Sequence, residues 1–135
     1  MAVINSIADR HDDMRGWRHL LHAHPEIAYE EVWTSDFIAD KLASFGIEVH
    51  RGMGKTGVVG VLRGTGNSDM AIGLRADMDA LPMQELNEFE YASQIDGRMH
   101  ACGHDGPSTM LLGAAQYLAE TRTFDGTVYF IFQPA

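Results

Sequence analysis

Two polar clusters in this 135-residue chain carry side chains whose types and spacing are able to do chemistry. The first is Arg75-Ala76-Asp77-Met78-Asp79-Ala80-Leu81-Pro82. Carboxylates two residues apart on extended backbone point the same way, so one can bind a metal or ligand while the other orients it or takes a proton. A loop with a helix N-cap and a solvated carboxylate reads the same. The second cluster is His100-Ala101-Cys102-Gly103-His104-Asp105-Gly106. Thiolate and imidazole are good ligands for zinc and similar divalent metals, and Cys102 and His104 share the same two-residue spacing. Asp105 suits either a supporting contact to a ligand or the start of a helix, where an anion is favoured. Gly103 and Gly106 let the backbone turn tightly. Two other readings of this cluster stand beside the metal: a structural cysteine near two polar histidines, and a Cys102 nucleophile with His100 or His104 as its base. The aspartate pair favours a cation over a thiolate nucleophile. A third segment, His22-Ala23-His24-Pro25-Glu26, reads either as a metal pair or as a helix end with a stop signal. Catalytic zinc keeps three protein ligands, so Cys102 and His104 alone do not complete a site.

The elements that must position these groups alternate between helical and strand patterns, which predicts an α/β layer fold with a mostly parallel or mixed central sheet flanked by helices. Ile4, Ile7, Met14, Trp17 and Leu21 lay one apolar stripe along a first helix that ends before Pro25. Tyr29, Trp33, Phe37, Ile38, Leu42 and Phe45 mark a second, with Gly46 just past its C-terminus. Strands are expected at 57–62, 70–75 and 128–132, apolar runs that suit coverage on both faces. A further helix is expected from Pro107 to Leu118. The Asp cluster then follows a strand at its C-terminal end, where open α/β sheets place ligands. The Cys-His cluster precedes a helix N-terminus.

Composition limits the partners. A formal net charge of -9 with scattered basic residues opposes nucleic acid and anionic membrane surfaces. No apolar run approaches the ~20 residues of a membrane span, and the first residues lack the pattern of a secretory signal. One cysteine precludes an internal disulfide, and together these features predict a cytoplasmic protein.

Five ordered blocks carry a resemblance: Arg18 to Glu26, Thr56 to Val59, Leu74 to Pro82, Met99 to Gly106, and Phe130 to Ala135. Together they resemble the M20 metallopeptidase family, in the amidohydrolase branch that includes hippurate hydrolases and auxin-conjugate hydrolases. The resemblance implies metal-dependent hydrolysis of the amide bond of N-acyl amino acids, small molecules split into a carboxylic acid and an amino acid. It implies two divalent ions per complete site, zinc or manganese, with cobalt or nickel admissible. Cys102 and His104 map onto metal ligands. Asp79 maps onto a catalytic residue that supports a metal-bound histidine, and Asp77 takes the place of a ligand histidine. The family's Glu-Glu pair, general base and ligand, is expected just past Ala135. Residues 1–135 therefore read as an incomplete, N-terminal part of the catalytic domain, inactive alone and without the lid or dimerisation domain. A metal-binding or interaction fragment without catalysis is the alternative. Pro107 stands where the family pattern has histidine. The sheet neighbours of the strand ending at Phe132 are expected downstream, and its open edge predicts a homo-oligomer.

Overall fold

The computed structural model describes residues 4–135. The chain runs α1 (Asn5–Ala8), α2 (His11–Ala23), α3 (Val32–Ser44), β1 (Glu48–Met53), β2 (Gly57–Arg63), β3 (Ala71–Asp77), α4 (Asp105–Thr121) and β4 (Thr127–Gln133). The expected first helix is broken in two. Arg10 sits between the pieces at φ -94° and ψ 3°, and its guanidinium bonds the Ser6 carbonyl and Glu120 of α4. Asp12 and Asp13 then open α2, where negative charge complements the exposed N–H groups of a first turn. The helix stops at Ala23, because His24, ahead of Pro25, leaves the helical region at φ -120° and ψ 59°.

The second predicted helix is α3, but Tyr29 lies outside it, in a turn with φ +65°. The helix begins later because the Glu26 carboxylate caps it from below. It accepts from the backbone N–H of Trp33 at 3.0 Å and of Thr34 at 2.7 Å, and from the Thr34 hydroxyl at 2.7 Å. Gly46 closes the other end at φ +76°, with Ile47 N–H donating to Leu42 O and Gly46 N–H to Ala43 O. That is the paired bonding of a Schellman cap, which needs a left-handed residue.

The four strands form one mixed sheet in the order β1-β2-β4-β3. β1 and β2 are antiparallel, as are β2 and β4, and β3 runs parallel to β4. β4 is thus a central strand whose neighbours both precede it. The expectation that they lie downstream is wrong; among the described residues the edge strands are β1 and β3. β1 has no counterpart among the predicted strands. Its sequence, Glu-Val-His-Arg-Gly-Met, is too polar to show an apolar run, as befits an exposed edge.

The core lies between one face of the sheet and the helices. Val58 and Leu62 of β2, Val128, Phe130 and Phe132 of β4, and Ala76 of β3 pack with Ile38 and Leu42 of α3 and Leu111, Leu112 and Ala115 of α4. The pairing register explains this, since Val58 stands opposite Phe132 and Leu62 opposite Val128. Val59, Val61, Tyr129 and Ile131 occupy the other face, and Tyr129 is 38% exposed. Among the described residues that face carries no helix, so the expected coverage on both faces is not what is seen. No helix among them is long and apolar enough to cross a membrane.

Candidate metal centre

β3 delivers the aspartate pair. Its last rung sets Asp77 opposite Gln133, and Met78 N–H donates to the Gln133 carbonyl at 3.0 Å. Met78 turns into the core at 1% exposure, which throws its two neighbours to the opposite side. The backbone is held further along by Ala80 N–H to the Glu26 carbonyl at 2.7 Å.

α4 delivers the other cluster. His100 to Gly103 form a turn, with Gly103 at φ +83°, and His104 is the N-cap residue of the helix. Pro107 falls in the first turn, where a missing N–H removes no helical bond. Ser108 Oγ donates to the Asp77 carbonyl at 3.0 Å and fastens α4 to the end of β3.

The two clusters meet at His104. Its Nδ1 lies 2.9 Å from the Asp79 carboxylate Oδ1 and 2.9 Å from the Asp79 carbonyl oxygen. A carbonyl only accepts, so Nδ1 carries the proton, and the neutral ring then has its lone pair on Nε2. A carboxylate behind one nitrogen with the other free is how proteins orient a metal-binding histidine. Asp77 and His104 also line one open cleft of about 260 Å³, with Arg75, Ala76 and Pro107. There the Asp77 carboxylate is paired with Arg75 at 2.6 Å.

Cys102 is exposed. Among the described residues no hydrogen bond joins it to His100 or His104, so neither histidine stands as its base. His100 is buried at 4% exposure with both ring nitrogens unpartnered. Burial pulls its pKa down to about 4, against the smaller opposing pull of Asp105.

The donor set, a free thiol and an imidazole pre-set for Nε2 coordination, suits a divalent ion of the zinc type. It is not complete. Among the described residues no group of three or more His, Cys, Asp or Glu side chains is disposed to hold a metal. Asp77 in particular is engaged with Arg75.

The His22-Glu26 segment forms no metal pair. His24 Nδ1 donates to the Leu20 carbonyl at 2.8 Å, and its ring stacks on Trp33. His22 is buried and bridges two carboxylates, Asp105 Oδ2 from Nδ1 and Glu85 Oε1 from Nε2, each at 3.0 Å. Burial alone raises the Glu85 pKa, but the hydrogen bonds from His22, Asn87 and the Ser93 backbone together hold it below the usual carboxylate value. Sequence reasoning missed Glu85. It lies 63 residues from its partner, and no local pattern marks it.

A mixed sheet whose parallel pair leads to a carboxylate-backed histidine, beside a Cys-x-His turn, defines an α/β fragment with a candidate metal centre. The structure superimposes on a dinuclear metal-binding peptidase of the M20 family from Bacillus subtilis with a TM-score of 0.89 and 41% identity, covering 95% of this chain and 36% of that one. Residues 73–135 match the family described as Peptidase family M20/M25/M40. The chain is 50% identical over its full length to a hippurate hydrolase of Campylobacter jejuni, covering 35% of that protein. It is 46% identical to an N-acyl-L-amino acid amidohydrolase of Geobacillus stearothermophilus over 91% of this chain and 33% of that one. Residues 73–135 carry the match to the M20 peptidase family, and the chain is similar to M20 proteins over nearly its whole length. It spans about a third of the length of these curated relatives.

Proposed function

We propose that the whole protein is a metal-dependent amidohydrolase that splits the amide bond of N-acyl amino acids. The observation that carries this reading is the Asp79–His104 contact at the C-terminal end of β3, which leaves His104 Nε2 free beside a cleft. Cys102 and His104 would hold metal, with Asp77 a third candidate once released from Arg75. The site would take two divalent ions, as the dinuclear Bacillus subtilis relative does, with zinc or manganese the best match to this mix of thiolate, imidazole and carboxylate. A bound divalent ion supplies Lewis acidity for the scissile carbonyl and lowers the pKa of a water. Asp79 fixes the tautomer and direction of the imidazole, and Ser108 holds the Asp77 backbone against α4. The remaining ligands and the general base come from outside residues 4–135. The acyl-amino-acid substrate class is supported by the names of the relatives, and the acidic, single-cysteine composition supports a cytoplasmic site of action.

The test is to strip the whole protein with a chelator, reload it with zinc or manganese, and follow hydrolysis of hippurate and of N-acetyl amino acids. Activity should vanish and return with metal, and Cys102→Ala should lower metal content and rate together. Turnover indifferent to chelator and to Cys102→Ala would refute the reading.

A further inference from the structure

His22 stands outside the chemistry above, yet it makes two of the most buried polar contacts in the described residues. It is 6% exposed, Glu85 is 7% and Asp105 is 1%. Asp105 directly follows His104, and its carboxylate has two partners, His22 Nδ1 at 3.0 Å and Arg18 Nε at 3.2 Å, both on Oδ2. Its Oδ1 is buried and unpartnered. The α2 side chains are therefore what anchors that carboxylate. The anchor matters because the turn ahead of α4 has little stiffness of its own, with Gly103 in the left-handed region and Gly106 one residue past Asp105.

The far side of the His22 ring does a second job. Glu85 is the hub of residues 78–104, the long connection between β3 and α4. It accepts from His22 Nε2, from Asn87 Nδ2 at 3.0 Å and from Ser93 N–H at 2.6 Å. The same connection is laid on α2 by Gln94 N–H to the Ala23 carbonyl at 2.9 Å and by the ring of Tyr91, which stacks on His19 and meets His22 edge-on. One imidazole thus ties the backbone beside a candidate ligand to the loop that runs from Asp79 to Cys102.

We propose that His22 is a positioning residue for the metal centre, acting through Asp105 on the His104 turn, while its contact with Glu85 ties down the 78–104 loop. This rests on the reading of Cys102 and His104 as metal ligands. A residue that merely stabilised the fold would affect all properties in proportion to stability, whereas a bridge with two ends has separable effects. Asparagine at position 22 sets its amide near Nδ1 and keeps the Asp105 contact. Glutamine sets its amide near Nε2 and keeps the Glu85 contact. Both lose one hydrogen bond to a buried carboxylate.

The experiment is a cobalt(II) titration of the whole protein, read by thiolate-to-cobalt absorption. It is paired with hydrogen–deuterium exchange and thermal unfolding of the metal-free protein. His22→Gln should weaken cobalt binding about 10- to 100-fold, the usual cost of losing a contact behind a metal ligand. It should also shift the absorption and speed exchange at residues 100–106. His22→Asn keeps the Asp105 contact, so it should bind cobalt as the parent does and speed exchange at residues 85–93 instead. Equal cobalt affinity in parent and both variants, or losses that simply track the unfolding midpoints, would overturn the proposal. Val128→Ala, in the core at the opposite end of β4 from the Gln133 rung, sets the scale for that comparison. If His22→Gln does not fold, Asp105→Asn takes its place, with the same loss of affinity and the same faster exchange at 100–106 expected, and parental values for both overturning it. If the parent shows no thiolate absorption, or keeps it in Cys102→Ser, the ligand reading itself fails. If absorption depends on Cys102 but not on position 22, only the role of His22 fails.

Discussion

Replacing Asp79 by alanine removes one of the two acceptors that hold His104. The Nδ1 proton is shared between the Asp79 carboxylate and its own backbone carbonyl, both at 2.9 Å, and the carbonyl survives the substitution. The tautomer is therefore kept, while the charged half of the contact is lost. Hydrogen bonds to charged groups contribute about 1.5–3 kcal/mol. With the carbonyl still in place the lower part of that range applies, about 1.5–2 kcal/mol, or roughly 10–30-fold in metal affinity at 1.4 kcal/mol per decade. Asp79→Asn keeps an acceptor and loses only the charge, so it should cost about 1 kcal/mol, roughly fivefold. The assay is a chelator-competition titration of the whole protein, with thermal unfolding of the metal-free form alongside. Metal affinity should fall in the order parent, Asn, Ala, while unfolding moves by less than about 1 kcal/mol, as for other partly exposed polar sites. Affinity within twofold in Asp79→Ala, or equal losses of affinity and stability, would show that Asp79 serves only the local backbone.

Three further outcomes follow from the same structure. Cys102→Ser should shift metal preference away from zinc and toward manganese, since it removes the one soft donor; competition between the two ions on parent and variant measures this. Glu85 has a lowered pKa, so it adds stability above the ordinary carboxylate value of 4.5 and loses it as pH falls through its own lower value. Glu85→Gln should therefore flatten the pH dependence of the unfolding midpoint below about pH 4.5, and an unchanged acid slope would contradict it. Phe130 is 0% exposed at the middle of the central strand, and Phe130→Ala should cost about 3–5 kcal/mol by urea unfolding. A loss below about 1 kcal/mol would mean that the core is not packed as described.

What the sequence disclosed divides along the range of the interactions. The apolar runs of β2, β3 and β4 and the stripes of α3 and α4 are local signals, and the elements formed within about three residues of them. Gly46 as a helix stop and Pro25 as a limit on α2 are local as well. β1 was invisible because an exposed edge needs no apolar run, and the break at Arg10 because its cause includes a contact with Glu120 on α4. Among the described residues the second face of the sheet is uncovered, which the sequence did not disclose for a related reason. An uninterrupted apolar strand looks the same whether its second face is buried or, like Tyr129, half open. At the site, the two-residue spacings named Asp77, Asp79, Cys102 and His104, but only the fold joins Asp79 to His104. The His22–Glu85 contact, made wholly by tertiary structure, left no trace in either segment.

The place of β4 in the sheet has a consequence for the order of assembly. β2 has its second antiparallel partner, and β3 its parallel one, only in a strand that leaves the ribosome after both: residue 58 pairs with residue 132, and residue 71 with residue 127. Such distant pairings are slow to form, because loop-closure entropy must be met before any contact rewards it. Until β4 inserts, Met78 has no Gln133 carbonyl to bond, and the end of β3 has no fixed height relative to α4. The Asp79–His104 pair is then among the last features of the domain to become ordered. An ion held as proposed would recognise the assembled β3–β4 pair and not the nascent chain, and would shift the balance toward the native state without steering the route there.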